Sequence, residues 1–218
     1  MNKNANQNLS REQLNEISQR TIADYNSRAQ LFHEHTHEHD VSQNLEALLR
    51  HINSTPPLRL LDFGCGPGRD LKAFTRLGHQ AIGLDGCESF CAMAREVSNC
   101  EVWQQDFLQL ELPDLFFDGI FANATLFHIP AQELPRVLNE LYASLKPGGA
   151  LLSSNPHGQN EEGWQRQRYA SFHGPQQWQE YVTTAGFALQ ESYYRPSGLP
   201  RPQQPWLVTV WKKQDVTT

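Results

Sequence analysis

The stretch LRLLDFGCGPGR (58–69) constrains this chain most. An apolar run of strand length leads straight into Gly64, Gly66 and Gly68, and DLKAFTRL (70–77) then has the spacing of a helix closed by Gly78. Glycines at a strand-to-helix junction let the backbone turn tightly and let a ligand come close to it. The alternation continues along the chain. QAIGLD (80–85), EVWQQ (101–105), FDGIFAN (117–123) and ALLSSN (150–155) read as strands. ESFCAMAREV (88–97), AQELPRVLNELYASL (131–145) and PQQWQEYVTTAG (175–186) read as helices, the second stopping at Lys146-Pro-Gly-Gly149. Such alternation builds a parallel sheet with helices on both faces. FALQESYYR (187–195) and WLVTVWKK (206–213) follow with no helix between them and are expected as antiparallel neighbours. The expected fold is therefore α/β: a Rossmann-like, seven-stranded, mostly parallel sheet with a C-terminal antiparallel strand pair.

Residues 1–10 are rich in Asn and Gln without apolar periodicity, which suits a disordered tail. Ser10 is placed to cap a helix carrying Leu14, Ile17, Ile22 and Tyr25. A second helix is expected from Val41 to Ile52, broken by Asn53-Ser-Thr-Pro-Pro57. This divides the chain into a tail over 1–20, partly disordered or helical, one domain over 21–213 and a short tail over 214–218.

A net charge of −6 argues against a nucleic-acid footprint and against an anionic membrane surface. No apolar run has the length of a membrane span, and the N-terminus lacks the apolar core of a signal peptide. The four cysteines lack paired zinc spacing and suit free thiols in a reducing compartment. These features lead to the expectation of a soluble, cytoplasmic protein acting on a small molecule, with neither nucleic acid nor membrane as partner.

The acids around the glycine loop specify a ligand. Asp62 ends the first strand, Asp85 the second, and Asp106-Phe107 follows the third, all on one edge of the expected sheet. Asp85 could accept both hydroxyls of a ribose, and Asp106 with Phe107 suits the edge and face of an adenine. The loop begins with an acid, its glycines run G-x-G-x-G rather than G-x-G-x-x-G, and Asp70 opens the helix where a pyrophosphate would be repelled. These three features favour S-adenosylmethionine (product S-adenosylhomocysteine) over a dinucleotide. The candidate cofactor residues are Asp62, Gly64, Cys65, Gly66, Gly68, Asp85, Gly86, Gln105, Asp106, Phe107 and Asn123, with Tyr25 and Arg69 toward the amino-acid part; otherwise Arg69 pairs with a nearby acid.

LLDFGCGPGRDLKAF, GLDG, WQQDF, and FANATLFHIP with its following helix and KPGG, resemble class I S-adenosylmethionine-dependent methyltransferases over residues 58–155. HDVSQNLEALLRHI (39–52), SSNPHGQNEEGW (153–164) and YYRPSGLPRPQQPWLVTVWKK (193–213) more narrowly resemble the C-terminal methyltransferase domain of ovothiol biosynthesis, over about residues 22–213. That resemblance implies methylation of the imidazole π nitrogen of 5-thiohistidine to ovothiol A. In that family the domain commonly follows an iron-dependent sulfoxide synthase. The chain lacks this module, so a functional link to such a partner is implied for a free-standing or excised domain.

For such an acceptor, His128 is the candidate base or substrate contact; otherwise it caps the next helix. Phe127 is a candidate pocket wall and Asn155 a candidate donor. Arg195 and Arg201, in a Pro-rich loop with Gln203, Gln204 and Trp206, could clamp a carboxylate; otherwise this loop is a stiff solvated turn. The tract FHEHTHEHD (32–40) places histidines at every second position. His33 and His37 share one face of a helix, and all four align on a strand. Transfer chemistry calls for no metal. The resemblance singles out His39 and Asp40 as site residues, leaving His33, His35 and His37 as substitutions on a polar lid.

Overall fold

The structure is a computed structural model and describes residues 8–214. Three helices, α1 (Arg11–Ser27), α2 (Ala29–Thr36) and α3 (Ser42–Leu49), precede the first strand. The sheet and its crossovers follow: β1 (Arg59–Phe63), α4 (Arg69–Arg76), β2 (Gln80–Asp85), α5 (Glu88–Ser98), β3 (Glu101–Gln104), β4 (Phe117–Asn123), α6 (Leu134–Ser144) and β5 (Leu145–Pro156). A hairpin of β6 (Glu161–Gln165) and β7 (Arg168–Phe172) comes next, then α7 (Pro175–Thr184), β8 (Phe187–Arg195) and β9 (Trp206–Lys213).

Seven strands form one sheet in the order β3-β2-β1-β4-β5-β9-β8, and β6 and β7 pair apart from it. The first five run parallel. β9 lies antiparallel to both β5 and β8, as expected. Alternate residues of each strand serve opposite layers. Leu61, Phe63, Ile120 and Leu151 pack with Leu138 and Leu141 of α6 and Val182 of α7. Leu60, Phe121 and Leu152 pack with Leu48 of α3, Leu71 and Phe74 of α4 and Ala94 of α5. Strand order reverses between β1 and β4, and in open α/β sheets a ligand crevice opens at such a switch point, outside the carboxyl ends of the strands.

Ser10 caps α1 as expected: its Oγ accepts from Gln13 N, while Gln13 Oε1 accepts from Ser10 N at 2.8 Å. The expected helix over 41–52 shortens to α3. The glycine-rich stop after α6 lies inside β5, whose pairing with β4 slips between Phe117↔Leu145 and Gly119↔Ala150. The expected boundary at residue 20 lies within α1, whose Ile17 and Ser18 line the cavity described below. The expected disordered stretch lies largely outside the described residues. The hairpin was not expected.

Candidate functional site

A cavity of about 810 Å³ opens at the switch point. The loop after β1 forms its base, and α1, α2 and α3 roof it. Gly64, Gly66 and Gly68 have φ of +78°, +52° and +91°, in the left-handed region that favours glycine. A Cβ at Gly64 would overlap the Thr125 side chain, whereas at Gly66 it would meet nothing nearer than Phe32 at 3.9 Å. The backbone at Gly66 is therefore open to a ligand. Gly68 does not line the cavity; it stacks its backbone on Ala94, where a Cβ would come within 2.7 Å.

Asp85 Oδ2 accepts from Gly66 N at 3.0 Å and Oδ1 from Cys87 N at 2.8 Å. Burial pushes its carboxyl up to about 6, against these hydrogen bonds. Asp106 accepts from Leu108 N at 2.8 Å and from Ser18 Oγ at 2.6 Å. A carboxylate has about four lone-pair positions, so each acid retains acceptors for a ligand. Phe107 packs on Phe63 at 4.6 Å between ring centroids and also lines the cavity, as do Cys65 and Gly86. These donors, acceptors and the open glycine fit S-adenosylmethionine.

Asp62 lies beneath the loop and is fully buried from the cavity. Burial, with Asp70 and Asp85 nearby, holds its carboxyl well above the usual carboxylate range. Gln105 turns away from the cavity: its Oε1 accepts from Glu111 N at 2.9 Å, locking the turn after β3. Arg69 donates to both oxygens of Asp70 (2.7 and 2.8 Å) and to Thr36 O (3.0 Å), fastening α2 to the glycine loop.

Tyr25 and His128 form a closed unit. His128 Nδ1 donates to Tyr169 O at 2.8 Å, because a carbonyl can only accept. Its Nε2 therefore accepts from the Tyr25 hydroxyl at 2.7 Å. Burial lowers the His128 pKa to about 4. With both nitrogens engaged and protonation disfavoured, the ring holds the Tyr25 hydroxyl in place, at the position where the sequence leads to the expectation of a base or a substrate contact.

Arg195 reaches the cavity from the end of β8. It donates to Asn44 Oδ1 at 3.1 Å and Asp40 O at 2.8 Å. Arg69 and Arg168 also line the cavity, but Asp70 neutralises the first and Asp24 the second, at 3.2 Å. Among the described residues lining the cavity, Arg195 is thus the arginine without a carboxylate partner. Asn123 accepts from Asn44 Nδ2 at 2.9 Å, fixing α3 over β4. His39, Asp40, Phe127 and Trp206 line the cavity with Arg195. Asp40 accepts from Ser42 N at 2.9 Å, which holds its carboxyl below the usual range.

Three substrate candidates lie elsewhere. Arg201 stacks on Tyr194 at 3.3 Å and donates to Gln204 O and His157. Gln204 donates to Pro196 O at 2.9 Å, and both residues brace the loop from outside. Asn155 is buried behind Phe127. His33 and His37 face each other on and just beyond α2, with ring centroids 5.3 Å apart, and both line the cavity, so His39 is not separated from them as expected. Among the described residues, no group of three His, Cys, Asp or Glu side chains is arranged to hold a metal ion. Ser18, Asn44 and Arg168 were missed. Their positions depend on how α1, α3 and the hairpin fold over the sheet, which local spacing does not encode.

Residues 61–153 match the methyltransferase domain family. Trans-aconitate 2-methyltransferase from Variovorax paradoxus is 28% identical over 68% of this chain and 57% of its own length. Ubiquinone biosynthesis O-methyltransferase from Nitrobacter winogradskyi is 35% identical over 48% of this chain and 41% of its own. The chain thus spans between two fifths and three fifths of these relatives. Among solved structures, the Burkholderia thailandensis 1,6-didemethyltoxoflavin-N1-methyltransferase, with bound 1,6-didemethyltoxoflavin and S-adenosylhomocysteine, superposes with a TM-score of 0.76 at 20% identity. That likeness covers 97% of this chain and 94% of the other. A DhpI–SAH complex superposes with a TM-score of 0.67 at 18% identity, over 92% and 98%. Sequence match and fold agree: residues 61–153 match the methyltransferase domain model, and the chain shares the Rossmann-like fold of the S-adenosylhomocysteine-bound methyltransferase it superposes on.

Proposed function

We propose that the chain transfers a methyl group from S-adenosylmethionine to a ring nitrogen of a small carboxylate-bearing heterocycle, 5-thiohistidine, giving ovothiol A. One observation carries the choice of acceptor class: Arg195 enters the cavity without an acidic partner, and a guanidinium of this kind binds a carboxylate bidentately. A single free arginine suits one carboxylate better than the three of trans-aconitate, the substrate named for the Variovorax relative. The ring nitrogen is supported by the likeness to an N1-methyltransferase of a heterocycle, and the thiohistidine by the resemblance of residues 39–52 and 193–213.

The cofactor supplies an activated sulfonium methyl, so this chain has to orient the acceptor and exclude water. Asp85, Asp106 and the Gly66 backbone hold the nucleoside side, and Arg195 holds the acceptor. The α1–α3 roof closes the cavity. Neutral His128 fixes the Tyr25 hydroxyl; the acceptor must lose its ring proton to solvent or react as its thiolate form.

The test is incubation with labelled S-adenosylmethionine and 5-thiohistidine, with the product located by mass spectrometry. Methylated thiohistidine is expected. Transfer to another heterocycle, thiol or carboxylic acid instead supports the broader methyltransferase reading, and cofactor binding without transfer supports a non-catalytic module. The link to an iron-dependent sulfoxide synthase is part of this proposal and is checked by feeding that enzyme's reduced product to the protein.

A further inference from the structure

The arginines lining the cavity are held by different kinds of partner. The Asp70 carboxylate grips Arg69, and that of Asp24 grips Arg168. Arg195 is held by neutral acceptors instead. Its Nη1 donates to Asn44 Oδ1 at 3.1 Å and its Nη2 to the backbone carbonyl of Asp40 at 2.8 Å. The Asp40 carboxylate is turned to Ser42 N, at 2.9 Å.

Asn44 lies in the first turn of α3 and is 1% exposed. Its orientation follows from its partners. A guanidinium can only donate, so the atom that faces Arg195 is the amide oxygen. The same oxygen accepts from Tyr193 Oη at 2.9 Å. Burial pushes the Tyr193 hydroxyl up to about 12, so it stays protonated and donates. Two donors occupy the lone pairs of this oxygen. On its other side, Asn44 Nδ2 donates to Asn123 Oδ1 at 2.9 Å, at the carboxyl end of β4. One buried side chain therefore ties the end of β4 to Arg195 at the end of β8.

The choice of an amide at this position has an electrostatic consequence. A carboxylate has nearly the same shape. At position 44 it would hold Arg195 in the same place and neutralise it, as Asp70 does Arg69. The amide holds the guanidinium by a hydrogen bond alone. The positive charge and the remaining N–H groups are left for an anion in the cavity.

We propose that Asn44 determines specificity for carboxylate-bearing acceptors: it positions Arg195 while leaving its charge uncompensated, so that the acceptor supplies the counter-charge. The role is one of positioning, because Asn44 acts through Arg195. It rests on the acceptor reading given above and deepens it by naming the residue that sets the arginine. Two acceptors are compared: 5-thiohistidine and its decarboxylated analogue, 5-thiohistamine. Wild-type protein is expected to favour 5-thiohistidine by about tenfold or more in kcat/KM. Asn44→Asp should bring that ratio to about one, chiefly through KM for 5-thiohistidine, because the new carboxylate occupies Arg195. Asn44→Leu removes the anchor without adding charge and should lower the ratio by less. Binding of S-adenosylhomocysteine, by calorimetry, reports a folded site in each variant. A purely structural role lowers turnover of both acceptors alike and leaves the ratio standing, which would overturn the proposal. Equal loss of the ratio in the two variants would overturn it too. Should Asn44→Asp fail to bind S-adenosylhomocysteine, Asn44→Leu still decides, since an unchanged ratio there refutes the role. A ratio that is present in the wild type and persists in the folded variants removes Asn44 alone and spares the acceptor reading. If the wild type methylates both acceptors equally, Arg195 is no carboxylate clamp and the role of Asn44 falls with it. If it methylates neither while S-adenosylhomocysteine binds, the acceptor reading itself fails, and this role with it.

Discussion

Burial drives both Asp85 and His128 toward their neutral forms, to about 6 and about 4, with opposite consequences for pH. His128 is depressed from its ordinary value near 6.5, so its contribution to stability is full above that pH and is lost as pH falls toward 4. The melting temperature is therefore expected to drop on acidification through this window, and His128→Gln should flatten the drop. A limb near pH 6.5 in the rate profile that vanishes in His128→Gln would instead restore the general-base role. Asp85 is raised from 3.8, so the free protein holds its proton more tightly than the unfolded chain and loses stability as pH rises between about 4 and 6. A nucleoside ribose donates to the charged carboxylate, so affinity for S-adenosylhomocysteine should weaken below about pH 6. Calorimetry against pH checks this, and Asp85→Asn should bind weakly without that dependence. Arg195→Gln should raise KM for the acceptor about tenfold or more while leaving S-adenosylhomocysteine affinity intact. Arg201→Gln, whose side chain lies outside the cavity, should do neither; an equal rise in both variants would contradict the assignment.

The β6–β7 hairpin holds the roof. Arg168 Nε pairs with Asp24 Oδ2 at 3.2 Å, Tyr169 N donates to Thr21 Oγ1 at 3.1 Å, and Arg20 lies over Trp164 at 4.1 Å. Asp24 is nearly buried in α1, so removing Arg168 leaves it with Arg28 alone. Arg168→Met should speed amide exchange in α1 and weaken S-adenosylhomocysteine binding, with β1 and β4 amides unchanged; unaltered exchange in α1 would show that the hairpin does not brace it. This hairpin was illegible in the sequence for a physical reason. Its turn is Arg166-Gln167, with no Gly, Asn or Pro, and Arg166 adopts φ +60° against its own preference. The parallel strands were legible because LRLLDF and FDGIFAN are apolar on both faces, as a doubly covered sheet requires. Histidines at every second position fit strand and helix alike; the chain resolves them as α2 and the turn after it, with His33 and His37 paired one turn apart.

Over the whole molecule, topology determines which residues could be found in advance. Asp85 and Asp106 follow consecutive parallel strands, so a parallel sheet brings them to one edge whatever else the chain does. Arg195 meets Asn44 only because β8 is the edge strand beside β9 and α3 packs across β4 and β5. Nothing in local spacing distinguishes Arg195 from Arg201, and the fold alone places one inside the cavity and the other on Tyr194. The acceptor proposed for this cavity, where Arg195 is the arginine without a carboxylate partner among the described lining residues, is an amino-acid heterocycle. Equimolar 5-thiohistidine and trans-aconitate competing for limiting labelled S-adenosylmethionine test it most directly. Label is expected in 5-thiohistidine, on the imidazole π nitrogen; label in trans-aconitate, or in neither acceptor while S-adenosylhomocysteine binds, would contradict the proposed acceptor.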